Sequence, residues 1–254
     1  MGRRHHVAIL LANGAESAFR TGDWPWALAE LEAALAEEFE ALERTIFLGA
    51  DVGFRAFRGE PVADQLGEIT QLVGDSNDAQ VLTTVASCDA SVAFAAGRLG
   101  DARSAWQRMG ELMVGNAPGA RALAARAALW AGDAVAARAD LAALDASGVH
   151  GPAVEADRRT IRAGLAALEG RRADALPLYR EALRAWRDLG LAWDEALCGL
   201  DMATLLDPAD SEVRTAADAA REILVRLGAA PFIARLDAAL ARSSDRAGQS
   251  AALK

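Results

Sequence analysis

The residues best suited to catalysis are few, and their spacing does not favour it. Nucleophilic catalysis by serine or cysteine needs a histidine base, and the only histidine beyond the first few residues is His150, between glycines in a turn-like segment. Glu37 with Glu38, or Asp194 with Glu195, could act as acid and base, but such pairs on charge-rich helices are better explained as solvated. The sequence therefore favours a protein that is not an enzyme.

Metal and cofactor chemistry also lacks its usual residues. Cys88 and Cys198 lie far apart in apolar helical stretches, with no second ligand at metal-binding spacing, so both are predicted to be buried and reduced. The only lysine is Lys254, at the last position, so neither a phosphate-binding loop nor an internal Schiff base is expected. We expect no metal site and no cofactor.

Charge and hydropathy argue against two classes of partner. The 254 residues carry a formal net charge of −9, and the arginines between positions 158 and 172 alternate with carboxylates, which predicts a solvated, salt-bridged helix surface. Nucleic-acid binding needs a basic patch, so we do not expect it. No run of about 20 apolar residues is present to cross a membrane. The apolar run at residues 7–12 is too short for a signal peptide, so we expect a cytoplasmic protein.

Glycines recur along the chain at the spacing of a helical repeat. Gly22, Gly59, Gly97, Gly132 and Gly170 follow one another at intervals of 35 to 38 residues, a period typical of stacked helix pairs. Glycine can end a helix in the left-handed conformation that other residues avoid. Four of these glycines are followed five residues later by alanine and nine residues later by a large apolar residue. These sets are Gly22/Ala27/Leu31, Gly97/Ala102/Trp106, Gly132/Ala137/Leu141 and Gly170/Ala175/Tyr179.

The pattern predicts an all-α fold of about six helix pairs over residues 1–241, closed by a capping helix at residues 232–240. Residues 242–254 are small and polar, and are predicted to form a disordered tail. In the irregular second pair, a shift caused by Pro61 would put Ala63 at the small, buried position. The predicted pairs are 7–20 with 26–42, 45–58 with 62–73, 79–96 with 102–114, 120–131 with 135–144, 154–168 with 173–187, and 191–206 with 212–227.

This spacing resembles the tetratricopeptide-repeat (TPR) superfamily over residues 7–241. In that family a small residue precedes the turn glycine by seven positions, where this chain has Ala15, Ala90, Ala125 and Ala163. The resemblance implies a right-handed superhelix, or solenoid, of antiparallel helix pairs whose first helices line a concave surface. The C-terminal part is also similar to the helical arrays of bacterial nucleotide cyclases and LuxR-type or MalT-like regulators.

The resemblance implies a non-enzymatic scaffold that binds a protein or peptide partner through its concave surface. The alternative is an effector-sensing regulatory array that controls an ATPase, cyclase or transcriptional output module, in the same chain or in another. In tetratricopeptide domains that hold acidic peptide tails, lysines and asparagines form the clamp. The matching positions here carry Ala12, Glu16, Ser87 and Ser91, so an acidic tail is not the expected partner.

Four residues on the first helices are predicted to contact the partner: Glu16, Arg20, Arg126 and Trp130. They would supply polar anchors and one aromatic surface, suited to a partner helix or loop. Other large side chains are predicted to pack in the core. These are Trp106, Tyr179 and Trp186 on second helices. The first-helix residues Phe19, Phe57, Phe94, Leu129 and Trp130 could line the inner surface for binding, but packing is favoured because part of this face must seal adjacent repeats.

Overall fold

The computed structural model describes the backbone of residues 2–252 and the side chains of residues 6–242. Over these residues it contains thirteen α-helices, a 3₁₀ turn at Val114–Asn116 and no β-strand. The helices are α1 (Gly2–Thr21), α2 (Trp24–Leu35), α3 (Ala41–Arg58), α4 (Ala63–Val73), α5 (Ala79–Ala95), α6 (Leu99–Leu112), α7 (Ala117–Trp130), α8 (Ala134–Ala146), α9 (Pro152–Leu168), α10 (Arg172–Asp188), α11 (Ala192–Leu205), α12 (Ser211–Leu227) and α13 (Ala230–Ala252).

Consecutive helices pack in neighbouring pairs, as the repeat spacing predicts. The pairs are α1 with α2, α3 with α4, α5 with α6, α7 with α8, α9 with α10, and α11 with α12. All five turn glycines have positive φ, between 74° and 88°. After α5, for example, the amides of Gly97 and Arg98 donate to the carbonyls of Phe94 and Ala93 at 3.0 and 2.8 Å, which satisfies carbonyls that the helix end leaves free. The all-α fold and its organisation into helix pairs are confirmed.

Small side chains allow the helices to approach closely at the repeated positions. The small residues predicted on first and second helices are all buried, none of them more than 1% exposed. They are Ala15, Ala90, Ala125 and Ala163 on first helices, and Ala27, Ala102, Ala137 and Ala175 on second helices. The large residues four positions after the second-helix alanines are buried as well, and Tyr179 is 0% exposed. Interiors packed this closely tolerate little added volume.

The first pair is shorter than its pattern suggests. One helix is predicted over residues 26–42, but α2 ends at Leu35. Three glutamates between residues 37 and 40 would have placed negative charge at a helix C-terminus, where the helix dipole disfavours it. Instead Nη1 of Arg44 donates to the carbonyl oxygen of Leu35 at 3.0 Å, and Phe39 packs edge-on against Phe47 with ring centroids 5.0 Å apart. These contacts stabilise a break between α2 and α3.

The second pair departs furthest from the repeat. The prediction that Ala63 is buried is wrong, because α4 begins only after Pro61 and Val62, and Ala63 lies exposed in its first turn. Ile69 is the buried residue of this helix, and it belongs to a small cluster that includes Leu48 of α3 and Cys88 of α5. α4 therefore has fewer buried residues than any other second helix.

The predicted cap lies within α13, which packs against α3, α11 and α12. The backbone of α13 is helical to Ala252. The predicted disordered tail, residues 242–254, lies almost entirely outside the residues whose side chains are described, so it stays a prediction.

The N-terminal and C-terminal helices of the array lie against each other. α1 contacts α11, and α3 contacts α13. An aromatic cluster joins these helices: Trp193 of α11 stacks on Phe57 of α3 with centroids 5.2 Å apart, and lies 5.3 Å from Trp24 of α2 and 4.9 Å from Phe232 of α13. Each such aromatic pair contributes roughly 0.5–1.5 kcal/mol beyond the burial of its area. The helix α11 thus connects the beginning of the chain to its end.

Candidate functional site

The first helices of all six pairs surround a cavity of about 680 Å³. Its wall is built from residues of α1, α3, α5, α7, α9 and α11, and one side is completed by α6 and the 3₁₀ turn that follows it. Pockets that hold small ligands typically have volumes of about 300–1,000 Å³. The cavity therefore has the size of a small-molecule site.

Polar and apolar side chains line different parts of the wall. α5 contributes a row of polar residues at helical spacing, Gln80, Thr83, Ser87 and Ser91 among them. α6 contributes apolar residues, including Met109, and aromatic residues come from α1, α3, α5, α6 and α11. A ligand with one polar end and one apolar end would find both surfaces in this cavity.

A buried ion pair crosses from α7 to α11. Nε of Arg126 donates to the carboxylate of Asp201 at 3.1 Å, and Nε1 of Trp130 donates to the same carboxylate at 2.6 Å. The side chain of Arg126 is 3% exposed and that of Asp201 is 0% exposed. Although burial opposes the charge, the carboxylate of Asp201 holds the pKa of Arg126 above its ordinary value. Arg126 therefore remains a guanidinium cation inside the fold.

A second ion pair joins α1 to α11 at the edge of the cavity. Nε of Arg20 donates to Oδ2 of Asp194 at 2.9 Å, and the guanidinium carbon lies 5.7 Å from the centroid of the Trp186 ring. Burial opposes the charge of Arg20, but the hydrogen bond to Asp194 raises the pKa of Arg20 above its usual value. The pair connects residues 174 positions apart and helps to hold the ends of the chain together.

Asp157 of α9 is the charged residue of the wall whose environment is most unusual. It is half-buried, and within the described part of the chain its carboxylate has no hydrogen bond or ion pair. Burial raises the pKa of Asp157 to about 7; the negative charge of Asp194 adds to the shift, and the cations Arg126 and Arg20 oppose it. A titratable side chain shifted to neutral pH in a cavity is a physical indicator of a functional site.

The four residues predicted to contact a partner lie in different environments. Glu16 and Arg20 lie in the wall of the cavity, Glu16 exposed and Arg20 half-buried. Arg126 also reaches the wall, but its guanidinium is engaged with Asp201. Trp130 is 8% exposed and does not line the cavity; the guanidinium of Arg235 lies 4.7 Å from its ring centroid. The structure therefore places Arg126 and Trp130 in the packed interior, not on an open surface.

The sequence did not indicate that Asp157, Asp194 and Asp201 lie at or beside a candidate site. Asp194 was expected to be solvated, but it is 7% exposed and paired with Arg20. A signal was present, because Asp194 and Asp201 are seven residues apart, on one face of a helix that is otherwise almost entirely apolar and small. Two carboxylates in that setting indicate buried cationic partners.

Other buried charges hold the array together outside the cavity. Asp140 of α8, 1% exposed, accepts from Nε of Arg103 and Nε2 of Gln107, both at 2.7 Å. Arg158 of α9 donates to Asp145 at 2.7 Å and is itself 3% exposed. Arg158 is thus paired with a carboxylate, as predicted, but it is buried and not solvated.

The large side chains assigned to the core are buried. Trp106, Tyr179 and Trp186 are at most 3% exposed, and among the first-helix residues Phe19 alone is half-buried. The remaining first-helix residues of that group are 1% to 8% exposed. They are Phe57, Phe94, Leu129 and Trp130. Core packing is therefore confirmed as the main role of these side chains.

Both cysteines are buried and free, as expected. Burial raises the pKa of Cys88 to about 12 and that of Cys198 further still, so neither provides a thiolate at neutral pH. His150 is exposed in the turn before α9, with Nδ1 3.6 Å from the carboxylate of Glu155.

In the part of the chain that the structure describes, no group of three or more His, Cys, Asp or Glu side chains is arranged to hold a metal ion. Among the same residues, no helix combines the length and the apolar character needed to span a bilayer. No protein-family model, curated protein or solved structure matches the chain.

Proposed function

We propose that the protein is a non-enzymatic ligand-binding array of TPR-like helix pairs, and that its ligand occupies the central cavity. The observation that carries this proposal is the cavity itself: about 680 Å³, lined by both polar and apolar side chains, and bordered by a half-buried carboxylate, that of Asp157, with no partner among the described residues. A regular superhelix with a right-handed twist is part of the proposal. It is supported by the left-handed turn glycines and the buried alanines that recur in the pairs.

The size of the cavity favours a small effector, or a few residues of a peptide, over a whole partner helix. A cavity of about 680 Å³ lies in the range typical of small-ligand pockets. This favours the effector-sensing alternative over a groove that holds a helix.

A ligand in this position would contact both ends of the chain. The wall includes Arg20 of α1 and Asp194 of α11, whose ion pair joins the two ends, and Phe57 of α3, which stacks on Trp193. A ligand that binds one arrangement of these helices more tightly than another shifts the population towards it. We propose that such a shift is how the array would control an output module, in the same chain or in another.

The proposal can be tested by filling the cavity. Gly53 of α3 lines the cavity, and a Cβ atom placed there meets no atom within 4 Å. Gly67 of α4 is also inside a helix with open space around its Cβ position, but it is exposed and does not line the cavity. Gly53→Trp and Gly67→Trp therefore form a matched pair in which only the first reduces the ligand space.

The measurement is a thermal-shift screen of small metabolites and short peptides against the wild type and both variants. A ligand at 100 times its Kd stabilises a protein by about 2.7 kcal/mol, which is easily detected. We expect ligands that stabilise the wild type to stabilise Gly67→Trp equally and to lose their effect on Gly53→Trp. If they stabilise Gly53→Trp as well, the cavity is not the binding site.

A further inference from the structure

We infer that the cavity selects an organic cation, with an ammonium or guanidinium group at Asp157 and an apolar body against the aromatic and methionine side chains of the wall. This inference rests on the proposed function, because it names the class of ligand for the same cavity. It is carried by the balance of paired and unpaired charges around the cavity.

Both cations of the wall already have partners. Arg20 is paired with Asp194, and Arg126 is paired with the buried Asp201 of α11. Each of these guanidinium groups therefore has its charge balanced by one carboxylate, so an anionic ligand would meet no uncompensated cation in the wall.

Two carboxylates of the wall are left over. Neither Asp157 nor Glu16 forms a hydrogen bond or ion pair within the described part of the chain, although Arg20 is near enough to feel the charge of both. Asp157 is the more buried of the two, while Glu16 is exposed. A half-buried carboxylate without a partner lacks the stabilisation that a cation supplies, so a cationic ligand would provide what the fold does not.

The rest of the wall suits the body of such a ligand. Half-buried Phe19 contributes aromatic surface, with Phe57 and Phe94 packed almost fully buried in the wall. Met109 and Met113 contribute flexible apolar surface. Aromatic faces attract cations, and methionine adapts to ligands of different shape. An anion or a strongly polar neutral compound would gain nothing from these side chains.

Proton linkage gives the inference a second, independent observable. The charged groups that face Asp157 are Arg20 from α1, Arg126 from α7, and Asp194 and Asp201 from α11. Because burial raises the pKa of Asp157 to about 7, part of the protein carries a neutral carboxyl at neutral pH. A cation binds the ionised form, so binding should release a proton and should tighten as the pH rises from 6 to 8.

The test is isothermal titration of the full chain with phenethylamine and, as a neutral control of similar size, phenethyl alcohol. A second pair, the capped dipeptides acetyl-Phe-Lys-amide and acetyl-Phe-norleucine-amide, distinguishes a free amine from a basic side chain of a peptide. The variants are Asp157→Asn, which keeps the shape of the side chain, and Asp218→Asn, which makes the same change at an exposed position on α12.

We expect the amine to bind the wild type and Asp218→Asn equally, and Asp157→Asn at least about tenfold more weakly, as for loss of a charge-assisted hydrogen bond. The affinity for the amine should rise between pH 6 and pH 8 in the wild type and in Asp218→Asn, but not in Asp157→Asn. Binding of the lysine dipeptide but not its norleucine analogue would show that a peptide can supply the cation.

Three results would overturn the inference. The alcohol could bind as tightly as the amine, in which case the cavity would still be a ligand site if Gly53→Trp abolished binding. The amine could bind Asp157→Asn as tightly as the wild type. Finally, both compounds could fail to bind. The metabolite screen with the Gly53 and Gly67 variants would then test the proposed function separately.

Discussion

Arginine–carboxylate pairs occur on both the inner and the outer face of this array, and the two sets differ in burial more than in geometry. Arg126 and Asp201, on the inner face, are 3% and 0% exposed with a closest contact of 3.1 Å. Arg180 and Glu212, on the outer face, are 55% and 43% exposed with a contact of 2.7 Å. The shorter contact belongs to the weaker pair, because water screens exposed charges, whereas a buried charge that loses its partner has no solvent to replace it. Distance alone does not rank these interactions.

The inner pair can be broken from the carboxylate side. We expect Asp201→Ala to destabilise the protein by about 3–5 kcal/mol, because it leaves the buried charge of Arg126 and the Nε1 donor of Trp130 without their shared acceptor. The matched change on the outer face is Glu212→Ala. Urea unfolding measures both, and the comparison between the faces fails if the two variants have the same midpoint.

The two faces of a single helix offer the same contrast for packing. Ala175 and Ala173 both lie on α10, but Ala175 is 0% exposed and Ala173 is exposed. We expect Ala175→Trp to destabilise the protein by about 1–3 kcal/mol or more, because an indole does not fit at the interface between helices. Ala173→Trp serves as the control and should leave the thermal midpoint nearly unchanged. An unchanged midpoint for Ala175→Trp would mean that this interface has room to spare.

Asp157 is an inner carboxylate without a partner among the described residues, whereas Asp194 and Asp201 are each paired with an arginine. An unfolded chain loses this proton near the ordinary value of 3.8, whereas the folded protein keeps it until a pH of about 7. The folded state therefore binds more protons between these values, and the stability due to Asp157 is full below pH 4 and is lost as the pH rises towards 7.

Replacing Asp157 should remove that dependence. We expect Asp157→Asn to match the wild type at pH 4 and to be more stable at pH 8, by roughly 1 kcal/mol once the partial exposure of the side chain is allowed for. Thermal unfolding of both proteins across this range measures the difference. A constant difference between them at every pH would show that Asp157 titrates normally.

Removing a charged side chain from the outer face should change the stability of the protein least. Arg180→Ala removes the exposed pair with Glu212, and we expect no measurable change in melting temperature at physiological salt. Differential scanning calorimetry is the measurement. A clear loss of stability would indicate that the outer arginines act as a network whose members support each other.

Features encoded by local spacing could be predicted from the sequence. The turn glycines have the expected positive φ, and Ala90 and Ala102 are buried at the positions that the repeat assigns to small residues. Both follow from the geometry of one helix and its turn, so a window of about forty residues contains the information. The break between α2 and α3 was missed, because it depends on Arg44 reaching the carbonyl of Leu35 from the next helix.

Features that depend on distant parts of the chain could not be predicted in this way. Asp157 and Asp194 belong to different helix pairs, and their separate sequence contexts gave each the pattern of a solvated residue. Only the approach of α1, α7 and α11 around one cavity places Arg20 and Arg126 close enough to influence them. The stacking of Phe57 on Trp193 is of the same kind. Periodicity describes which face of a helix is buried, not which distant helix covers it.

The meeting of the chain's ends has a consequence for how the molecule folds. In an open row of helix pairs each repeat touches only its neighbours, so the ends can fray while the centre persists. Here Arg20 and Asp194 pair across 174 positions of sequence, and α3 rests against α13. Such contacts raise the contact order and carry a large loop-closure cost that only a nearly complete chain can offset. The first and last helix pairs should therefore gain and lose their structure together, in one cooperative transition, because the contacts of α1 with α11 and of α3 with α13 join them.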